Sequence, residues 1–254
     1  MSATEATPLT ANSVLPAKRV DIELHTADGL ALVGELAMPQ DRPPAATVIM
    51  LHPLPTHGGF MDSHVFKKAA RRLPALGDLA VLRFNTRGTS SPRGTSEGDF
   101  DYAQSEKYDV SAAIDFAWQH ELPRVWLVGW SFGTDLALMH GHDPAIQGAV
   151  LMSPPLRWTG PEHLQAWAKD GKPVTALIPE FDDYLRPAEA AVRFAAIPQA
   201  RVVAIEGARH LWLGETYVRR AHQEIISAIR PDLPPLPTSW GGPMVLAPRE
   251  TFVI

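Results

Sequence analysis

Between residues 47 and 205, short unbroken apolar runs alternate with longer stretches whose apolar residues recur at helical spacing. Few architectures accommodate that alternation. The runs lie at residues 47–51, 79–84, 125–128, 149–152, 174–178 and 202–205. A run of four to six apolar residues without polar alternation is expected of a strand covered on both faces. The intervening stretches predict helices over 63–76 (Val65, Phe66, Ala69, Leu73 and Leu76), 102–120, 132–140, 187–196 and, after the last run, 215–229. Strands alternating with helices imply repeated βαβ units, hence an α/β fold with a mostly parallel twisted sheet and helices on both faces. Two earlier runs, 19–25 and 30–36, flank Asp28-Gly29 and read as a hairpin that adds an antiparallel N-terminal edge. One domain is expected over 17–230. Residues 1–16 read as a flexible N-terminal arm, and 231–254, where six residues are proline, as a Pro-rich C-terminal arm.

The chain is long enough for a large single core, with 254 residues of which 45% are hydrophobic and 20% charged. It has no cysteine, which excludes a disulfide framework, a thiolate nucleophile and a thiolate metal site. A net charge of −5 argues against nucleic acid and against an anionic membrane surface as partners. The first sixteen residues show neither the basic nor the apolar region of a secretory signal, and no stretch approaches eighteen apolar residues, so a cytoplasmic location is expected.

In open α/β sheets, reacting groups gather beyond the carboxyl ends of the strands. After the run 125–128 comes Gly129-Trp130-Ser131-Phe132-Gly133, which fits G-x-S-x-G between a strand and a helix. A sharp turn there lifts a serine hydroxyl above the sheet, and flanking glycines let strand and helix approach; a tight turn with a capping serine has the same letters. An alcohol needs a base to act as a nucleophile. Of ten histidines, His210 alone falls in a loop after a strand downstream of Ser131, in Gly207-Ala208-Arg209-His210. The base needs a carboxylate to fix its tautomer. The strand 174–178 runs into Pro179-Glu180-Phe181-Asp182-Asp183, where Asp182 and Asp183 are the candidates and Glu180 ranks behind them. A developing oxyanion needs amide donors. One is the N–H of Phe132. The other is expected after the strand 47–51, in His52-Pro53-Leu54-Pro55-Thr56-His57-Gly58-Gly59, where the prolines lack an N–H and Leu54 has one.

Together these residues resemble the α/β-hydrolase superfamily, and within it a bacterial branch of small serine hydrolases that pairs an HPxPxxGG loop, here 52–59, with the GxSxG elbow. Arg83-Phe84-Asn85-Thr86-Arg87-Gly88 and the Gly207–His210 loop fit the same branch, and the likeness covers about residues 20–230. The resemblance implies an α/β-hydrolase fold and a Ser131–Asp182–His210 triad, with the Leu54 and Phe132 amides as oxyanion donors. It further implies a small acyl substrate (ester, thioester or related) and no cofactor. The acid loop departs from the usual G-x-x-D, because Pro179 stands where glycine is expected; counting from it gives Asp182, whereas Asp183 lies nearer the usual distance before Pro187.

About twenty residues, 153–172, separate two core strands, which allows a minimal lid or none. Trp158 and Trp167 there would line an acyl pocket or pack as an amphipathic helix. Arg87 and Arg93 read as surface charge, with an acidic substrate as the rarer alternative. The His140-Gly141-His142-Asp143 run reads as a helix end rather than a metal site, and phosphate-cradling and H-E-x-x-H motifs are missing. The same residues also fit two other outcomes, a ligand-binding protein without turnover and an acyltransferase using the same triad.

Overall fold

The computed structural model describes residues 6–245. Eight strands form one sheet: β1 Lys18–His25, β2 Ala31–Met38, β3 Ala46–Leu51, β4 Leu79–Phe84, β5 Val125–Trp130, β6 Ile146–Met152, β7 Val174–Phe181 and β8 Ala200–Arg209. Their order across the sheet is β8-β7-β6-β5-β3-β4-β2-β1. Pairing is antiparallel for β1 with β2 and for β2 with β4, and parallel everywhere else. The expected antiparallel edge is therefore present.

Six helices follow the strands: α1 His64–Gly77, α2 Glu106–Gln119, α3 Phe132–His140, α4 Pro161–Asp170, α5 Pro187–Phe194 and α6 Glu215–Ile229. Within the sheet, side chains alternate between two apolar layers, as strand geometry requires. Ile49 and Leu51 of β3 and Leu127 of β5 join α2, α3, α4 and α5 through Val110, Phe132, Leu136, Trp167 and Phe194. Val48, Met50, Trp126 and Val128 face the other way and join α1 and α6 through Phe66, Leu73, Val218 and Ile225. Strands such as β3, β4 and β5 are buried along their whole length because both faces are covered.

Two expectations need correction. The helix expected over 102–120 starts at Glu106, because Tyr102 and Ala103 adopt left-handed φ angles of 51° and 69° that no right-handed helix contains. Arg87 is not a surface charge, whereas Arg93 is exposed as expected and is paired. Arg87 is buried and meets both Asp28 and Asp109, and Arg93 bridges Asp21, Glu35 and Asp62. They pin the loop 86–101 to the sheet edge. The two arms meet each other: Thr7–Pro8 pairs with Ser239–Trp240, Val14 bridges to Val245, and Leu15 and Leu236 are buried. Residues 1–5 and 246–254 of the expected arms lie outside the described residues.

Candidate active site

Ser131 stands between β5 and α3 with φ 52° and ψ −118°, a conformation that non-glycine residues rarely adopt. The glycines around it have a packing reason. A Cβ on Gly133 would fall 1.8 Å from the Leu51 carbonyl oxygen, and one on Gly129 would fall 2.4 Å from the Gly133 oxygen. Strand, helix and the end of β3 thus meet backbone to backbone, and the bend is forced. The Ser131 N–H donates to the Met152 carbonyl oxygen at 2.9 Å, tying the bend to β6.

His210 follows the edge strand β8, three strands away from β5. At about 4.8 Å per strand that is roughly 14 Å of sheet to cross. The crossing is made by the loop after β8 and by two groups that hold its backbone. The indole N–H of Trp130 donates to the His210 carbonyl oxygen at 3.1 Å, and Ser153 Oγ reaches the same oxygen at 3.4 Å. The Trp212 indole N–H donates to Ser153 Oγ at 2.9 Å. With its main chain held, the imidazole lies with Nε2 2.9 Å from Ser131 Oγ.

The register of β7 with β8 decides which carboxylate meets the other ring nitrogen. Between Pro179 and Phe181 the pairing slips, so that two steps along β7 face four along β8, from Ile205 to Arg209. Pro179 has no N–H for the ladder, and Gly207 takes φ 69° inside the bulge. The Gly207 N–H donates to Glu180 Oε2 at 2.8 Å, which occupies Glu180. Phe181 is then opposite Arg209, so the next residues, Asp182 and His210, are neighbours. Asp182 Oδ1 and Oδ2 lie 3.1 and 3.0 Å from His210 Nδ1. Asp183 is exposed and lies outside this contact. Burial alone would raise the Asp182 carboxyl. The contact with His210 and the N–H groups of Tyr184 and Leu185 outweigh it and hold the carboxyl below the usual range.

The 52–59 loop is held from beneath by His52. Its ring is buried; Nε2 accepts the Thr86 N–H at 3.0 Å, so the proton sits on Nδ1 and is donated to the Pro53 carbonyl oxygen at 2.6 Å. Burial lowers this histidine to about 4, which keeps it neutral. Gly59 folds back so tightly that a Cβ there would fall 2.0 Å from the Pro53 oxygen. Among the described residues, the N–H groups of Leu54 and Phe132 donate to no protein acceptor. Phe132 opens α3, and an amide at the first helical position has no carbonyl one turn earlier to bond.

Leu54, Ser131, Phe132 and His210 line one cavity of about 290 Å³, closed further by Trp130, Pro155, Arg157, Trp158, Tyr184 and Leu211. Of the two tryptophans singled out in the sequence, Trp158 lines this cavity beside Phe132, while Trp167 is buried in the core and donates to the Leu138 carbonyl oxygen. Only α4 lies between β6 and β7, and nothing there forms a large cap. Trp130, Ser153 and Trp212, which position the histidine loop, carry no sequence signal of their own. No group of three or more His, Cys, Asp or Glu is placed to hold a metal ion among the described residues. His140 bonds the Ala103 carbonyl oxygen, and His142 pairs with Asp170.

An eight-stranded sheet in this order, with a strained serine after the fifth strand, defines the α/β-hydrolase fold. Solved structures agree. A lidless α/β serine hydrolase from Xanthomonas campestris matches at 25% identity over 89% of this chain and 100% of that one, with a TM-score of 0.67. An α/β serine hydrolase homologue from Coxiella burnetii matches at 22% identity, over 85% and 97%, with 0.68. An esterase from Pyrococcus furiosus matches at 17% identity, over 84% and 92%, with 0.68. The chain belongs to the α/β-hydrolase superfamily. No family model and no curated protein sequence matches it. No described helix is long and apolar enough to cross a membrane.

Proposed function

We propose that the protein is a serine hydrolase that cleaves a small carboxylic ester, thioester or related acyl bond through an acyl-enzyme on Ser131. The 2.9 Å contact between Ser131 Oγ and His210 Nε2 carries this reading. In the forward step Ser131 Oγ attacks the acyl carbon as its proton passes to His210 Nε2. Asp182 holds Nδ1–H and so fixes the tautomer in which Nε2 is free to accept. The oxyanion is met by the N–H groups of Leu54 and Phe132, which have no protein acceptor among the described residues. Collapse expels the alcohol or thiol, which takes the proton from His210. Water, deprotonated by the same imidazole, then releases the acid and restores Ser131.

The cavity of about 290 Å³ that holds Ser131 and His210 is lined mostly by apolar and aromatic side chains, which suits an acyl substrate. No group on this route requires a cofactor. The test is turnover of short p-nitrophenyl esters together with labelling by a fluorophosphonate. Wild type is expected to do both and Ser131→Ala neither. Equal rates above background for the two proteins would remove Ser131 from the mechanism.

A further inference from the structure

The cavity beside Ser131 has one side chain with a fixed charge, Arg157, and no Asp or Glu among its lining residues. Three arginines near the sheet edge find acids: Arg83 meets Glu35 and Asp62, Arg87 meets Asp28 and Asp109, and Arg93 meets three carboxylates. The Arg157 guanidinium pairs with no carboxylate among the described residues. It lies instead over the Trp158 ring, 4.8 Å from its centroid. Stacking on an aromatic face orients a guanidinium while leaving its N–H fork open to a ligand.

The turn that carries it is fixed from the nucleophile side. Asp135, in the first turn of α3, accepts the N–H groups of Trp158 and Thr159 at 3.1 and 3.0 Å and the Thr159 hydroxyl at 2.6 Å. The Trp158 ring is wedged edge-on against Phe132, the residue after Ser131, with centroids 5.4 Å apart. The backbone turn that carries Arg157 is therefore held at a set place relative to Ser131 by α3, and the exposed Arg157 side chain extends from it. An open guanidinium on a rigid mount at the rim of an acid-free cavity matches a bidentate carboxylate.

We propose that Arg157 selects substrates carrying a free carboxylate, so that the enzyme prefers short esters with an anionic far end over their neutral counterparts. The proposal rests on the hydrolase reading above and adds the substrate class to it. The carboxylate belongs either to the acyl part, as in a hemiester of a dicarboxylic acid, or to the leaving group, as in an ester of a hydroxy acid.

Two substrate arms separate these. The first pairs monoethyl esters of the C4 to C8 dicarboxylic acids with ethyl esters of the monocarboxylic acids of equal length. The second pairs butyryl esters of glycolate and 3-hydroxypropanoate with neutral butyrate esters of matched size. At constant ionic strength, kcat/KM is expected to favour the anionic member at least tenfold at one chain length or in one arm. Arg157→Gln is expected to reduce that ratio at least tenfold, mainly through KM, and Arg157→Lys to restore part of it. Turnover of neutral and anionic esters at equal kcat/KM at every length and in both arms would overturn the proposal and leave the hydrolase reading standing. If no ester turns over, calorimetry with Ser131→Ala decides: the anionic esters must bind at least tenfold more tightly than to Ser131→Ala/Arg157→Gln, and equal affinity overturns the proposal.

Discussion

The His210 main chain, whose ring meets Ser131, is held by groups outside the proposed triad. Trp130 is the plainest case, since the residue that ends β5 also fixes the carbonyl of the residue that must meet the serine. Which carboxylate meets His210 Nδ1 follows from a bulge. Asp182 and Asp183 are adjacent in sequence and chemically identical, yet only Asp182 contacts His210 Nδ1. Replacing it with Asn keeps the shape and forces the wrong imidazole tautomer, so Asp182→Asn should lower kcat by on the order of 10³ to 10⁴. Asp183→Asn should stay within about threefold by the same reasoning, since it touches neither ring nitrogen. Steady-state kinetics on the two variants check this, and an inverted pattern would reassign the acid.

At the scale of elements, close backbone approach shapes the site more than side-chain chemistry does. Gly133→Ala would drive a methyl group against the Leu51 carbonyl, and backbone cannot rotate away as a side chain can. The variant should lose at least about 3 kcal/mol of stability by urea denaturation, which is at the upper end for single substitutions. A loss under about 1 kcal/mol would show that β3 and α3 can separate at little cost. Helix α1 shows the same economy. Pro74 removes the amide that would bond the Ala70 carbonyl, and Arg19 Nη2 donates to that oxygen at 3.2 Å instead. The contact also ties strand β1 to the helix behind the sheet.

For the whole molecule, burial of uncharged histidines sets the response to acid. His52 and His222 are buried, and burial lowers both to about 4; His64 and His140 are lowered in the same direction by the same cause. An unfolded chain protonates its histidines near 6.5. Above that pH neither state binds the protons, and stability is complete. As pH falls from about 6.5 towards 4, the unfolded chain takes up protons that the folded one refuses, so stability declines. For His52 and His222 alone the slope approaches about 2.7 kcal/mol per pH unit. Urea midpoints should therefore drop steeply between pH 6.5 and 5, before the carboxylates titrate, with at least about two protons bound on unfolding. A flat profile across that interval would mean these rings are solvated.

The sheet, its helices and the positions of Ser131 and His210 could be read from the sequence because each depends on local order. A doubly covered strand must be apolar throughout, and a nucleophile turn must follow such a strand and open a helix. The antiparallel edge was legible in the alternation around Asp28-Gly29 for the same reason. What local order could not carry was anything fixed by register or by distant packing. The choice of Asp182 over Asp183 depends on a slip between β7 and β8 in which Gly207, far along the chain, supplies the extra length. The burial of Arg87 depends on Asp28 and Asp109, brought to it from the hairpin and from α2. The support of His210 by Trp130 and the neutral His52 under the 52–59 loop likewise arise between segments separated by tens of residues. Such contacts exist only after the chain has closed, because pair interactions across a fold leave no period in the sequence.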